Sequence, residues 1–188
     1  MPKQKYDMSR VLADSFLELV LTNSINKITI KQITDNAGVI RTTFYNHFQD
    51  KYQLIEYIIS EDLLRPIQPL VQNKMWSEAS LLVLTTIENN KIIYSKIDKI
   101  DGQDSFEVMA ERQLKDIILN VLETNGNWNS GTEYVWITPE RIAKYYSKMV
   151  IYIVKEWIEG GFEVTPQDIV RIHEYFMTKN INDFLFNE

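Results

Sequence analysis

The chain has 188 residues, 45% of them hydrophobic and 24% charged, with no cysteine and a formal net charge of −6. That length allows one large core or two closely packed domains, and the composition is that of an ordinary globular protein. Without cysteine there are no disulfides, thiol nucleophiles or thiolate metal sites, and without a run of about 18 apolar residues no membrane span is expected.

Residues 1–6 lack an apolar core, so no signal peptide is expected and the cytoplasm is the expected location. Val11, Phe16, Leu17 and Val20 recur at helical spacing and predict a first helix over 7–22, followed by a polar loop at 23–26. Thr29 and Gln32 fit a capping box, with Ile28 and Ile33 placed as a hydrophobic staple across it. The helix opened there runs over 30–37. Gly38 stops it where a left-handed residue is usually needed. A further short helix follows almost at once and ends in Phe44-Tyr45-Asn46-His47-Phe48. Phe44 and Phe48 are four apart and face inward; Arg41, Thr42, Tyr45 and Asn46 face outward. Two short helices around a tight turn are the layout of a helix-turn-helix, whose second helix can enter the DNA major groove.

The outward set suits nucleic acid. Arg41 can bond bidentately to a guanine edge, and Thr42 and Thr43 can touch a thymine methyl or a phosphate. Tyr45, His47 and Lys51 can donate to phosphate oxygens, contacts that position a protein without reading sequence. Asp50 suits the N-cap of the next helix, so its amides and the Lys51 ammonium could converge on one phosphate. Charge is divided accordingly. Residues 1–51 hold seven Lys/Arg against five Asp/Glu, a surplus of two positive charges; residues 52–188 hold 13 against 21, a surplus of eight negative. A modest positive field on the reader with an acidic body behind it is one account, and ordinary variation in charge blocks is the other.

The remainder reads as helix. A long connecting helix starts near Lys51 with Leu54, Ile55, Ile58 and Ile59 apolar; Pro66 and Pro69 mark its end or a kink. Further helices are expected over 76–90, over 91 to about 100, ended by Gly102, and over 103–123. Residues 124–131, rich in Asn and Gly, form the one loop-like stretch. Trp128, Tyr134 and Trp136 either lie back on the core or cover a cavity. Thr138-Pro139 and Thr165-Pro166 open two closing helices, the first to about Glu159 before Gly160-Gly161, the second to about Asn180. Both are apolar on more than one side, which calls for more than one packing partner. No strand-like alternation competes, so the fold class is all-α.

Enzyme readings fare poorly. Neither His47 nor His173 lies in a zinc-binding pair, and the six glycines form no phosphate loop. Asp98, Asp101 and Asp104 are spaced by three, which marks a solvated helix end more often than a cation site. No metal, cofactor or catalytic residue is expected.

Residues from about 7 to 52 resemble the DNA-binding domain of the tetracycline-repressor (TetR) family of bacterial regulators. Ile28-Thr29-Ile30, Ala37-Gly38-Val39, Thr43-Phe44-Tyr45-Asn46-His47-Phe48 and Lys51 match that family's signature at its usual spacing. Ile40 departs from it, standing where the family has a capping Ser or Thr. Within the family, the stretch from Phe44 to about Asp101 resembles the dihydroxyacetone-kinase operon activators through Tyr94, Lys96, Ile97, Ile100 and Asp101.

The resemblance implies a three-helix helix-turn-helix domain over 1–50 and a helical effector and dimerisation bundle over 51–188. It implies phosphate contacts from Thr29, Tyr45, His47 and Lys51, with Arg41 and Thr42 at bases and Thr43 and Asn46 beside them. It further implies a homodimer on a roughly palindromic double-stranded operator. Ile142, Ile153, Trp157, Ile169, Ile172 and Phe176, on the stripes of the closing helices, are the expected interface. A small-molecule effector is expected among Tyr94, Phe106, Met109, Tyr145, Tyr146 and Met149, which otherwise fill a core; the acidic surplus favours a neutral or cationic ligand. Effector binding would then lower DNA affinity in a repressor, or raise it in an activator. The alternative is a helical protein-interaction module whose helix-turn-helix no longer reads DNA.

Overall fold

The computed structural model describes residues 7–124, 136–180 and 183, and all of its regular structure is helical. Trp128 and Tyr134 lie outside the described residues. The first helix, α1 (Met8–Thr22), begins at Asp7, whose carboxylate accepts the Ser9 amide at 3.1 Å. Its inner stripe of Leu12, Ala13, Phe16 and Val20 is wholly buried. The next three helices are α2 (Ile30–Asn36), α3 (Arg41–Tyr45) and α4 (Lys51–Ile59). Ile33, Phe44, Leu54, Ile55 and Ile58 close the core against α1. Each such side chain contributes roughly 1.5–3 kcal/mol of burial, so the small reading head owes its order to these few residues.

The connecting helix does not run straight to the prolines. After α4 the chain widens into a π-turn at Ser60–Leu64, where the Arg65 amide donates to the Ser60 carbonyl at 2.7 Å. Pro66 has no amide to continue the ladder. A separate short helix, α5 (Gln68–Gln72), then starts with Pro69 in its first turn.

Five more helices complete the described chain: α6 (Trp76–Asn89), α7 (Lys91–Ile97), α8 (Phe106–Thr124), α9 (Pro139–Glu159) and α10 (Pro166–Thr178). Two boundaries differ from expectation. α7 stops at Ile97 and α8 starts at Phe106, because Gly102 at φ +80° opens a 3-10 turn over Gly102–Asp104. The Ser105 hydroxyl then accepts the Val108 amide at 3.2 Å and sets the start of α8. α8 and α9 pack along one another, and α10 lies against α6.

The α9–α10 corner is fixed by a Schellman turn. The Gly161 amide donates to Ile158 O at 3.1 Å and the Phe162 amide to Trp157 O at 3.0 Å. The left-handed residues are Gly161 at φ +76° and Phe162 at φ +63°, whereas Gly160 stays at φ −72°. Phe162 holds that strained conformation because its ring meets the Trp157 ring edge-on at 4.9 Å, the apolar contact that such turns favour. Trp157 Nε1 donates to Val164 O at 2.8 Å and ties the corner to α10.

The N-terminal helices are joined to the rest by side chains as well as by the chain. Lys96, on α7, places its ammonium on the exposed end of α1, donating to Val20 O at 2.6 Å, Leu21 O at 3.0 Å and Asn23 O at 3.3 Å. A cation on the free carbonyls of a helix C-terminus is well placed both as hydrogen-bond donor and against the helix dipole. Arg10 pairs with Asp62 beyond α4 and with Asp14 in its own helix. Among the described residues no helix is long and apolar enough to cross a membrane.

Candidate nucleic-acid interface

The reading head is built on α2. Thr29 Oγ1 accepts the Gln32 amide at 3.2 Å, and Gln32 Oε1 accepts the Thr29 amide at 2.9 Å. The capping box is closed in both directions. At the other end, the Gly38 amide donates to Asp35 O and the Val39 amide to Thr34 O, with Gly38 at φ +67°. The turn is therefore a Schellman motif with glycine at its left-handed position. α2 is fastened to α1 by Ser15, whose buried hydroxyl donates to Ile33 O at 2.7 Å, and by Asn36, which donates to Glu18 Oε2 at 2.9 Å.

α3 is short and rests on its aromatic block. Phe44 is fully buried and its ring centroid lies 5.8 Å from that of Phe48, which packs in turn on Tyr57. Tyr45 remains 52% exposed with its ring edge-on to Phe44. Arg41, Thr42, Asn46 and His47 are exposed and Thr43 is half-buried. Arg41 has no hydrogen-bond or ion-pair partner among the described residues, so its guanidinium is available. His47 Nδ1 lies 3.0 Å from the Ser9 hydroxyl, which braces the ring against α1; with Nδ1 accepting, Nε2 is the ring's donor.

Ile40 is the N-cap of α3, makes no side-chain capping bond and is 72% exposed. The α3 amides that a Ser or Thr would have capped are left to other partners, and an apolar side chain stands at the edge of the reading face.

Two expected phosphate contacts have other work in this conformation. The Thr29 hydroxyl also donates to Gln32 Oε1 at 2.9 Å, so its one proton is engaged. The Lys51 ammonium donates to the carbonyls of Ile25 at 2.8 Å, Ile28 at 3.2 Å and Asn26 at 3.3 Å. Burial there pushes the lysine below its ordinary pKa. In this conformation Lys51 pins the start of α4 to the loop that enters α2, rather than standing free for a phosphate. Asp50 does cap α4, accepting the amides of Tyr52 at 2.8 Å and Gln53 at 2.9 Å.

A cavity of about 100 Å3 lies inside the larger bundle, framed by side chains of α4, α6, α8, α9 and α10 and walled by residues such as Leu63, Leu84, Leu114 and Val154. Of the six expected effector residues, Phe106 alone lines it. Tyr94 and Met109 are buried beside it, with the Tyr94 ring 6.3 Å from Phe106 and its phenol pKa pushed up by burial. Tyr145 is 65% exposed, Tyr146 is also exposed and Met149 is half-buried, none of them in the cavity wall. These five are corrected as lining residues: helical stripes show which positions are apolar but not which of them face this cavity. His173, on α10, does line the cavity, with its Nε2 buried and lacking a hydrogen-bond partner among the described residues. The signal in the sequence that could have found it is its position beside Ile172, between Ile169 and Phe176 on the final helix.

The expected interface residues divide as well. Trp157 and Ile169 are buried within their own chain, the first by the Schellman corner, so neither is available as drawn. Ile153 is half-buried in the cavity wall and Ile142 is half-buried on α9. Ile172 and Phe176 are exposed. On α9 the exposed aromatics are Tyr145, Tyr146, Tyr152 and, just before it, Trp136, whose ring Arg141 covers at 4.4 Å. Asp98, Asp101 and Asp104 are not gathered into a cation site: no group of three or more ligating residues is found among the described residues.

Comparison with known proteins agrees with this architecture. Residues 17–58 match the family described as bacterial regulatory proteins, tetR family. Residues 74–179, more than half of the chain, match the family described as transcriptional regulator C-terminal region. The HTH-type dhaKLM operon transcriptional activator DhaS of Lactococcus lactis subsp. lactis (strain IL1403) is 27% identical over 163 residues, covering 85% of this chain and 83% of DhaS. The HTH-type transcriptional repressor KstR2 of Rhodococcus jostii (strain RHA1) is 20% identical, covering 85% and 84%. A solved structure of the dihydroxyacetone kinase operon activator DhaS superposes with a TM-score of 0.65 at 23% identity, over 92% of this chain and 94% of that one. A capped, braced helix-turn-helix and an all-helical body that match these families together show that the chain belongs to the TetR family of bacterial transcriptional regulators.

Proposed function

We propose that this regulator reads a roughly palindromic operator as a homodimer and that a small molecule in the body of each subunit tunes its affinity for DNA. The observation behind the first part is the outward face of α3. Arg41, Thr42, Tyr45 and Asn46 are exposed together on a helix whose inner face is locked by Phe44 and Phe48. Arg41 is assigned to a base edge, and Tyr45 and His47 to phosphates. On this reading the DNA-binding unit covers 1–50 and the effector and dimerisation unit 51–188.

Pairing is assigned to the outer faces of α9 and α10. Tyr145 and Tyr152 are spaced by seven on α9, Ile172 and Phe176 by four on α10, and each is at least 38% exposed. A large exposed apolar surface of this kind marks an interaction site, and paired half-sites require a two-fold assembly. DhaS is named an activator and KstR2 a repressor, so the sign of regulation does not transfer from them.

The test is binding-site selection from random duplex, followed by a salt titration of the selected site. Wild type is expected to select a palindrome and to bind with a steep salt dependence. Arg41→Ala should lose about 1–3 kcal/mol and relax preference at one base pair of each half-site. No salt-dependent duplex binding, or an identical selected motif from the variant, overturns the assignment. Tyr152→Glu with Phe176→Glu should shift the chain from dimer to monomer in light scattering.

A further inference from the structure

The effector reading leaves open what the cavity would hold. Its wall is almost wholly hydrocarbon. The lining residues with polar side-chain atoms are Trp76, Ser80 and His173. None is a fixed cation, so a carboxylate, phosphate or sulfate would enter without a counter-charge, and a buried unpaired charge is heavily penalised. The imidazole is no substitute. Burial holds His173 below its ordinary pKa despite the neighbouring Glu174, which disfavours the imidazolium. An ammonium is disfavoured for the same reason, since no carboxylate lines the wall.

What the wall does offer is one unmet hydrogen bond. His173 Nε2 is shielded from solvent and unpartnered among the described residues. A single water is a poor match, because buried waters typically need about three partners and this wall is apolar. Size is the second constraint. A cavity of about 100 Å3 is smaller than an engineered apolar cavity of about 150 Å3 that takes benzene, so a short alkyl chain fits as it stands and a single ring is the upper bound, entering only as the partly exposed wall gives way. Trp76 is 45% exposed, and Ser80, Val83, Val150 and Val170 are half-buried, so the lining reaches the surface along that side.

Resting on the reading of the body as an effector unit, we propose that the cavity binds a compact uncharged molecule, one ring or a short alkyl chain, whose single hydroxyl meets His173 Nε2. A hydroxyl is the group of choice because it can donate to an accepting nitrogen or accept from a protonated one, whichever tautomer is present.

Calorimetry and thermal shift of the full chain, with phenol, toluene and benzoate as probes, test this. Phenol is expected to raise Tm and to bind about tenfold more tightly than toluene, the scale of one buried hydrogen bond. Benzoate should not bind. His173→Leu is expected to abolish the preference of phenol over toluene while keeping toluene binding. Equal binding of phenol and toluene by wild type, or binding of benzoate, overturns the proposal without reference to the variant. Duplex affinity measured with and without phenol separates the two claims. Phenol binding that leaves duplex affinity unchanged upholds the cavity chemistry and overturns effector control. Absence of phenol binding in a protein that still binds duplex overturns the cavity chemistry and leaves the DNA reader standing.

Discussion

Lys51→Met retains the apolar stem and removes the ammonium that holds Ile25 O, Ile28 O and Asn26 O. A hydrogen bond from a charged donor contributes about 1.5–3 kcal/mol net. The 2.8 Å bond to Ile25 O is of that kind. The bond to Asn26 O at 3.3 Å adds less, because Asn26 is exposed and its carbonyl can turn to water. Desolvation of the ammonium, visible in its lowered pKa, offsets part of the gain. A net loss of about 2 kcal/mol follows. In a chain of this length that is a fall in Tm of about 4–8 °C. The assay is thermal unfolding of wild type and variant, paired with a salt titration of duplex affinity. A phosphate contact would lower the slope of log affinity against log salt by about 0.9 per reading head. The geometry predicts the drop in Tm with a much smaller change in slope. An unchanged Tm with a slope lowered by about one per head would refute it, and would mean that the ammonium leaves the carbonyls for a phosphate.

Ile40→Thr restores a capping hydroxyl at the start of α3 and should raise stability by about 1 kcal/mol, read as a higher urea midpoint at constant m-value; no rise would mean that the α3 amides are already satisfied. Trp157→Ala should cost about 3–5 kcal/mol by emptying the α9–α10 corner and removing the bond to Val164 O, and a variant that stayed stable but became monomeric would return Trp157 to the subunit interface. His173 has a folded pKa below its ordinary value of 6.5 because of burial. The unfolded chain therefore takes up a proton that the folded chain lacks as pH falls through that range, so this stability is complete above about pH 6.5 and is lost on acidification; His173→Leu should flatten that part of the stability–pH curve, and an unaltered curve would count against the burial.

Helix existence, the capping box and the Gly38 turn were legible because they are local. Thr29, Gln32 and Gly38 act on amides and carbonyls within a few residues, and a linear sequence displays such spacings directly. The inward pair Phe44 and Phe48 and the outward set on α3 were legible for the same reason, since one helical period separates the two faces. The proline-opened starts of α9 and α10 belong here too, each with a threonine hydroxyl on the third amide beyond it.

Contacts between distant segments were not legible, because side-chain chemistry is common to several partners. A lysine after an N-cap aspartate fits a phosphate as well as it fits three carbonyls, and only the approach of the loop at 25–28 to α4 decides for the carbonyls. Lys96 carries no local sign that it will close the end of a helix some 75 residues earlier. The inner side of α9 is likewise a tertiary fact. Its tyrosines and isoleucines span more than half the circumference, so pattern alone cannot orient it. Packing on α8 buries Ala143, Ser147, Ile151 and Val154, leaves Tyr145 and Tyr152 outside, and thereby separates cavity from surface.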